Sequence, residues 1–201
     1  MNAIIEAIRT RRAQKSFDPS YTISDEELTS ILDTTRYAPT AFNLQNYRFL
    51  VVRDAEQRRK IKEVAWNQPQ IEECAALIII CADTQAWQKD PARYWKDTPE
   101  QVQELYTGMI RQYYEGKPQV QRDEAFRSSG IAAYALMMAA AAHGLQTCPM
   151  DGFDFGSVAE IIRLPKDYEL VMFVALGKGL EAPKGRGGFL PLEEIVAHDT
   201  F

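Results

Sequence analysis

Apolar residues recur along this chain at two spacings, and the spacing marks most of its elements. Ile4, Ile5 and Ile8 follow a helical period and predict a first helix ending just ahead of Arg11. Thr22-Ile23-Ser24-Asp25-Glu26-Glu27-Leu28 carries a capping box, with Ser24 at the N-cap, Glu27 three residues on, and Ile23 and Leu28 as the staple. The helix that follows places Leu28, Ile31 and Leu32 on one face. It stops before Ala38-Pro39, because the residue ahead of a proline is pushed out of helical geometry. Residues 40–47 read as a polar-aromatic loop entering a strand over 48–52. Residues 56–63 read as a charged helix, and Trp66-Asn67-Gln68-Pro69-Gln70 as a second loop, dense in carboxamides.

Residues 75–82 form an unbroken apolar run of strand length, as in a sheet covered on both faces. The stretch 84–100 is weakly patterned, with Trp87, Tyr94 and Trp95 among charges, and a helix over 100–114 ends at Gly116-Lys117-Pro118. Together they form an insert at about 84–118, expected to act as a lid or cover over a pocket. The longest helix spans 121–143 and is closed by Gly144. Its second half, 131–142, is apolar on every side, which predicts burial all round, within the core or against a second subunit. A short extended piece with a Gly turn, Cys148-Pro149-Met150-Asp151-Gly152-Phe153, comes next. Ser157 is expected to cap a helix running to Leu164, and 169–176 is the third strand. Phe189, Leu190, Leu192 and Ile195 in the tail need a surface, and a partner subunit would supply one. The pattern predicts an α+β fold in one domain over 1–201, its sheet sandwiched by helices.

Composition narrows the function. With 201 residues, 46% of them hydrophobic, the chain can bury a proper core. A net charge of −5 argues against a nucleic-acid binder or a polybasic membrane protein. The start of the chain lacks the pattern of a signal peptide, and the longest apolar run is too short to span a bilayer, so a soluble cytoplasmic protein is expected. Cys74, Cys81 and Cys148 form no paired motif and suit a reducing compartment. Cys74 and Cys81 read as small buried hydrophobes. Cys148 beside Pro149 could be a nucleophile, but no histidine is placed to activate it. His143 and His198 lack metal-ligand spacing, and the end of a helix explains His143.

Against this acidic background two basic clusters stand out. The first, Arg9-Thr10-Arg11-Arg12-Ala13-Gln14-Lys15-Ser16-Phe17, lies where the first helix ends. Its cations fit either of two roles. They complement the negative end of the helix dipole, or they clamp an anion, since guanidinium forks match phosphate oxygens. The second cluster, Lys184-Gly185-Arg186-Gly187-Gly188, makes the second role worth testing.

Five motifs occur in order: Arg11-Arg12-x-x-Lys15-x-Phe17, Ala38-Pro39-Thr40-x-x-Asn43-x-Gln45, Trp66-Asn67-Gln68-Pro69-Gln70, Pro149-Met150-Asp151-Gly152-Phe153 and Lys184-Gly185-Arg186. The sequence resembles the flavin-dependent nitroreductase family, in particular its oxygen-insensitive NAD(P)H nitroreductase and dihydropteridine reductase-like branch. The resemblance implies a mainly antiparallel sheet in an intertwined homodimer, with FMN in a groove at the subunit interface. Arg11, Lys184 and Arg186 would hold its phosphate, with Arg12 nearby. Ala13 lies in the same motif, while Lys15 and Asn67 would face the pyrimidine end of the ring. Pro39, Thr40, Ala41 and Asn43 would come from the other subunit. Pro149, Met150, Asp151 and Gly152 would run along the ring with backbone N–H groups aimed at N5, and Trp66, Tyr113 and Tyr114 would line a substrate channel.

Two positions depart from the family pattern. Ala13 replaces the usual Ser, removing one hydroxyl contact. Gln70 stands where a Lys is common beside the flavin edge that becomes negative on reduction. Losing roughly 1 kcal/mol of charge-assisted stabilisation there would lower a two-electron potential by about 20 mV. The resemblance implies ping-pong electron transfer from NADH or NADPH to a nitroaromatic, a quinone or a related small acceptor. Alternatives are a flavin-binding sensor or storage protein without turnover, a relative with other flavin chemistry such as dehalogenation, and a structural domain with incidental cations.

Overall fold

The structure is a computed structural model and describes residues 2–201. In chain order its helices are α1 (Ala3–Thr10), α2 (Asp25–Thr35), α3 (Ala55–Glu63), α4 (Gln70–Glu73), α5 (Glu100–Tyr114), α6 (Pro118–Ala142), α7 (Phe155–Ile161) and α8 (Leu192–Ile195). Its strands are β1 (Tyr47–Val52), β2 (Ala76–Asp83), β3 (Gln146–Met150) and β4 (Tyr168–Gly177), ordered β1-β2-β4-β3 and antiparallel throughout. This is the expected α+β architecture.

The apolar run in β2 has the physical basis anticipated for it, since every residue of the strand is buried. Leu77, Ile79 and Cys81 join a core with Ile61 of α3, Ile71 of α4 and Val158 of α7. Ala76, Ile78 and Ile80 face the opposite side, against Leu28 and Ile31 of α2 and Leu136 and Ala140 of α6. Alternate residues thus serve two cores, and helices cover both faces of the sheet. Ser24 accepts from Glu27 N–H at the start of α2, which is half of the capping box; the Glu27 carboxylate accepts from Tyr21 O–H at 2.8 Å instead of returning to Ser24 N–H.

Several expectations need correction. The extended piece before Asp151 is a full strand, β3, so 169–176 belongs to the fourth strand rather than the third. Asp154, not Ser157, caps α7: its Oδ1 accepts from Ser157 N–H at 2.7 Å. That helix stops at Ile161, because Arg163 takes a left-handed φ of 53° and Leu164 N–H returns to the Ala159 carbonyl. Within its own chain the second half of α6 is not buried all round, so complete burial would take the second subunit that the sequence reading also allows. One face packs on the sheet, while Ile131 and Tyr134 stay exposed in the single chain. Gln70 opens a short helix instead of ending a loop.

The insert is tied down at its start. The Asp83 carboxylate is fully buried at the end of β2, paired with Arg48 at 3.0 Å and Lys89 at 2.9 Å, and Lys89 also pairs with Asp167. The chain then makes 3₁₀ turns at Ala86–Gln88 and Pro91–Trp95. Ile110 and Tyr114 of α5 pack with Leu44, beside Phe42, Trp87 and Tyr94. The insert therefore covers the loop that leads into β1.

Candidate functional site

The two basic clusters meet. Arg11 is the C-cap of α1, and its guanidinium turns toward α6, with Nη1 3.9 Å from Met137 Sδ. Arg12 does what the helix-end reading asks, donating to the carbonyls of Arg9 at 2.6 Å and Arg11 at 2.9 Å. The tail is led back to this point by Gln14, whose Nε2 donates to the Glu181 carbonyl at 2.8 Å. The Gln14 carboxamide fills the space a side chain at position 179 would need, so a larger residue there would displace Gln14 from the Glu181 carbonyl. Arg186 then donates to the Arg11 carbonyl at 3.1 Å, although 175 residues separate them. A cleft of about 460 Å³ opens here, lined in part by Thr10, Arg11, Arg12, Met137, Thr147 and Pro183. Lys184 is exposed on the same short stretch of tail.

Arg11, Arg12, Lys15 and Arg186 engage carbonyl and sulfur acceptors, and among the described residues no carboxylate pairs with them. Glu6 also lines the cleft, but it pairs with none of these cations, and unpaired cations gathered there suit an anionic ligand. Lys15 Nζ lies 3.4 Å from Cys148 Sγ on β3. Burial pushes the Cys148 thiol up, outweighing the opposing pull of Lys15, and no histidine contacts the sulfur. A buried protonated thiol is a poor nucleophile, which removes that candidate.

β3 presents its outer edge to this region. Ala13 forms an isolated bridge with Thr147, and Gln14 N–H donates to the Thr147 carbonyl at 2.9 Å. Thr147 thus turns its backbone groups away from β4, and so does every second residue after it. Pro149 occupies one such position, so its missing N–H costs the sheet nothing. Asp151 follows in the same row, and its N–H has no acceptor among the described residues. Trp66 lies flat against Gly152: a Cβ there would stand 2.6 Å from Trp66 Cζ3. Gln70 is buried, its Nε2 3.0 Å from Gln68 Oε1 and 3.2 Å from Met150 Sδ. Asn67 is exposed on the same turn.

The remaining candidates gather elsewhere. Pro39, Thr40, Ala41 and Asn43 precede β1, at the opposite edge of the sheet. Thr40 Oγ1 accepts from Gln45 N–H at 3.0 Å, and Asn43 Nδ2 donates to the Tyr94 carbonyl at 2.9 Å. Phe42 meets Tyr113 at 5.5 Å and Tyr114 at 6.2 Å between ring centroids. Tyr113 is partly exposed, whereas Tyr114 is 1% exposed, so in this chain it backs the cluster instead of lining an open channel. Three strand spacings of about 4.8 Å put this edge on the order of 14 Å from β3. The candidates thus form two half-sites.

Phe42, Asn43 and Gln45 in one loop, and Trp66 and Asn67 in the other, take positive φ between 44° and 56°. Side chains rarely adopt that region, and such strain concentrates at ligand-binding turns. Phe42 and Gln68 were not singled out from the sequence, although both lie inside quoted motifs. Only the fold shows what they touch. Among the described residues no group of His, Cys, Asp and Glu could hold a metal ion. His143 instead lies 3.3 Å from Ser30 Oγ and 3.8 Å from a Glu27 oxygen at the end of α6.

Residues 8–178 match the family model described as the nitroreductase family. The chain belongs to the nitroreductase family. Protein DrgA of Synechocystis sp. (strain ATCC 27184 / PCC 6803 / Kazusa) is 46% identical over 196 residues, covering 95% of this chain and 93% of that protein. YodC of Bacillus subtilis (strain 168), which carries a provisional NAD(P)H nitroreductase name, is 31% identical over 97% of this chain and 98% of its own length. Among solved structures, a provisionally named nitroreductase from Exiguobacterium sibiricum 255-15, crystallised in complex with FMN, superposes with a TM-score of 0.90. It is 29% identical and covers 99% of this chain and 98% of its own. The nitroreductase fold therefore extends over the insert and the tail as well as the sheet.

Proposed function

We propose that this chain is an FMN-dependent oxidoreductase that carries electrons from NADH or NADPH to a nitroaromatic, a quinone or a related small acceptor. The observation that carries the reading is the meeting of the two basic clusters: Arg186 bonds to the Arg11 carbonyl, Arg11 and Arg12 line one cleft, Arg12 and Arg186 line its neighbour, and among the described residues no carboxylate pairs with the three. That donor set fits a terminal phosphate. The NAD(P)H nitroreductase name of YodC and the FMN of the Exiguobacterium structure point to the same cofactor and donor.

Arg11, Lys184 and Arg186 would hold the phosphate, with Arg12 capping the helix behind it. Lys15, Asn67 and Gln70 would face the polar edge of the ring, and the row Pro149, Met150, Asp151 and Gly152 would lie along it. FMN, when bound, supplies the two-electron chemistry; the protein supplies binding, orientation and an environment that excludes side reactions. The Asp151 N–H is left without a partner at the sheet edge and offers the ring a donor. Donor and acceptor would use one open face in turn, a ping-pong order, with Trp66 and Tyr113 as its aromatic walls.

The site is completed by a second copy. Pro39, Thr40, Ala41, Phe42 and Asn43 lie too far from β3 to reach the cleft of their own chain, and a two-fold partner would bring them there. The uncovered apolar residues suit such an interface: Ile4, Ile5 and Ile8 on α1, Ile131 and Tyr134 on α6, and Phe189, Leu190, Leu192 and Ile195 in the tail. The insert at 84–118 would then act as a cover over the partner's ring, within one domain spanning 1–201.

The test is a visible spectrum of the purified protein with FMN, before and after NADPH, then after a quinone. Bleaching followed by recovery is the expected result. A protein that takes up no FMN would overturn the proposal, and bound flavin that NADH and NADPH leave unbleached would favour a sensor or storage role.

A further inference from the structure

Gln68 is absent from the ligand set proposed above, yet it makes the most specific side-chain contact with the 150–152 turn. Its Nε2 donates to the Gly152 carbonyl at 3.0 Å, across 84 residues of sequence. Its Oε1 accepts from Gln70 Nε2 at 3.0 Å, and Gln70 Nε2 also lies 3.2 Å from Met150 Sδ. Two carboxamides therefore bridge both ends of the Met150–Gly152 segment to the loop that opens α4. We infer that Gln68 is a positioning residue: it fixes the peptide plane of the Gly152 carbonyl and Phe153 N–H, and through the bond from Phe153 N–H to the Asp151 carbonyl it sets the direction of the Gly152 N–H toward the bound ring.

Glycine needs such a clamp more than any other residue. With Trp66 where it stands, Gly152 has no room for a side chain: a Cβ would displace the exposed indole. The same absence leaves its backbone torsions the least restricted in the chain. A local bond across the turn runs from Phe153 N–H to the Asp151 carbonyl at 3.1 Å, and it couples the clamped plane to the one that carries Gly152 N–H. On the other side Trp66, at a φ of 53°, packs its ring against Gly152. A turn with free N–H groups, a glycine at its centre and a carboxamide on its carbonyl is preorganised from outside, and misplacing a donor by even a small distance costs rate.

The inference rests on the FMN reading, and its test separates the two. Two variants are compared with the parent chain. Gln68→Leu removes both bonds. Gln68→Glu keeps the acceptor for Gln70 but replaces the donor facing the Gly152 carbonyl with a carboxylate oxygen. In the flavin-free protein, amide hydrogen exchange in the peptide covering Asp151–Phe153 should be about fivefold faster in both variants, with the β2 core unchanged. In the FMN-loaded protein, affinity for FMN should stay within about threefold. The kcat with NADPH should fall about tenfold with little change in KM, and the flavin absorption maxima and midpoint potential should shift.

If Gln68→Glu matches the parent in exchange and kcat, donation to Gly152 is irrelevant and the inference is overturned. The same holds if exchange is unchanged in both variants. A parent chain that binds no FMN would sink the proposed function, while the exchange comparison would still decide whether the clamp exists.

Discussion

The two edges of the sheet carry different halves of the candidate site, and different forces hold them. At β3 the groups are cationic or hydrogen-bonding: Arg11, Arg186, Lys15, Gln70 and the Met150–Gly152 backbone. At β1 they are aromatic, with Phe42 against Tyr113 and Tyr114. The β3 half is assembled by neutral amides and backbone bonds around a tail that crosses from the far end of the chain. The β1 half rests on a buried carboxylate, since Asp83 holds Arg48, which in turn donates to the Gln45 carbonyl at 2.7 Å. One edge is thus built to hold charge and the other to present a flat apolar wall. A flavin with an acceptor stacked on it needs both.

The largest expected effect breaks the β1 half alone. Asp83→Asn removes one partner of a buried ion pair and should cost about 3 kcal/mol, the lower end for such a loss, because Arg48 and Lys89 keep access to water. Urea unfolding would measure it; a loss under about 1 kcal/mol would mean that the pair is not what holds this loop. Next, Arg186→Ala strikes the β3 half and should weaken FMN binding by about 1.5–3 kcal/mol with little change in stability. Fluorescence titration decides this, and unchanged affinity takes Arg186 out of the site. Tyr113→Ala should leave FMN affinity alone and raise the KM for an aromatic acceptor several-fold, about 1 kcal/mol for one lost ring contact. If FMN affinity falls instead, the division between charge-holding and wall-forming edges is wrong.

The smallest effect is on pH. The hydrogen bond from Lys89 holds the Asp167 carboxyl below its ordinary value of 3.8. A carboxyl depressed in the folded state stabilises fully above that ordinary value, and the contribution is lost as pH falls through the folded-state pKa. The unfolding midpoint should therefore decline below about pH 4. Lys89→Met should flatten the part of that decline due to Asp167, and an identical pH profile in the variant would exclude the pair as its source.

How far the sequence could be read depended on whether a feature was local. The N-cap at Ser24, the apolar run of β2 and the bounds of α5 follow from neighbouring residues, and the fold agrees with them. Asp154 and Ser157 are both capping residue types three positions apart, and only backbone geometry selects Asp154 over the expected Ser157. The exposed stripe of α6 was invisible for another reason. Alanine-rich helix looks uniformly apolar, so composition does not show which side a single chain covers. In the site, the residues with strong chemistry were legible as types. Their division between two edges follows from the resemblance, which assigns Pro39, Thr40, Ala41 and Asn43 to another subunit, and not from residue pattern, because strand order is a property of the whole sheet. Gln68 and Phe42 act through partners 84 and 71 positions away, at Gly152 and Tyr113, distances at which spacing carries no signal.

Pro149 has a further effect, beyond sparing the ladder its missing bond. A sheet margin with regularly spaced donors invites another strand to zip along it, from a neighbour or from a misfolded copy. An imide nitrogen in the outward row interrupts that template at the point where the cleft begins. Beyond Thr147, where Ala13 and Gln14 already pair, the margin is therefore a poor seat for a polypeptide, and under the proposed function it would stay open for a rigid planar guest that needs only one or two donors.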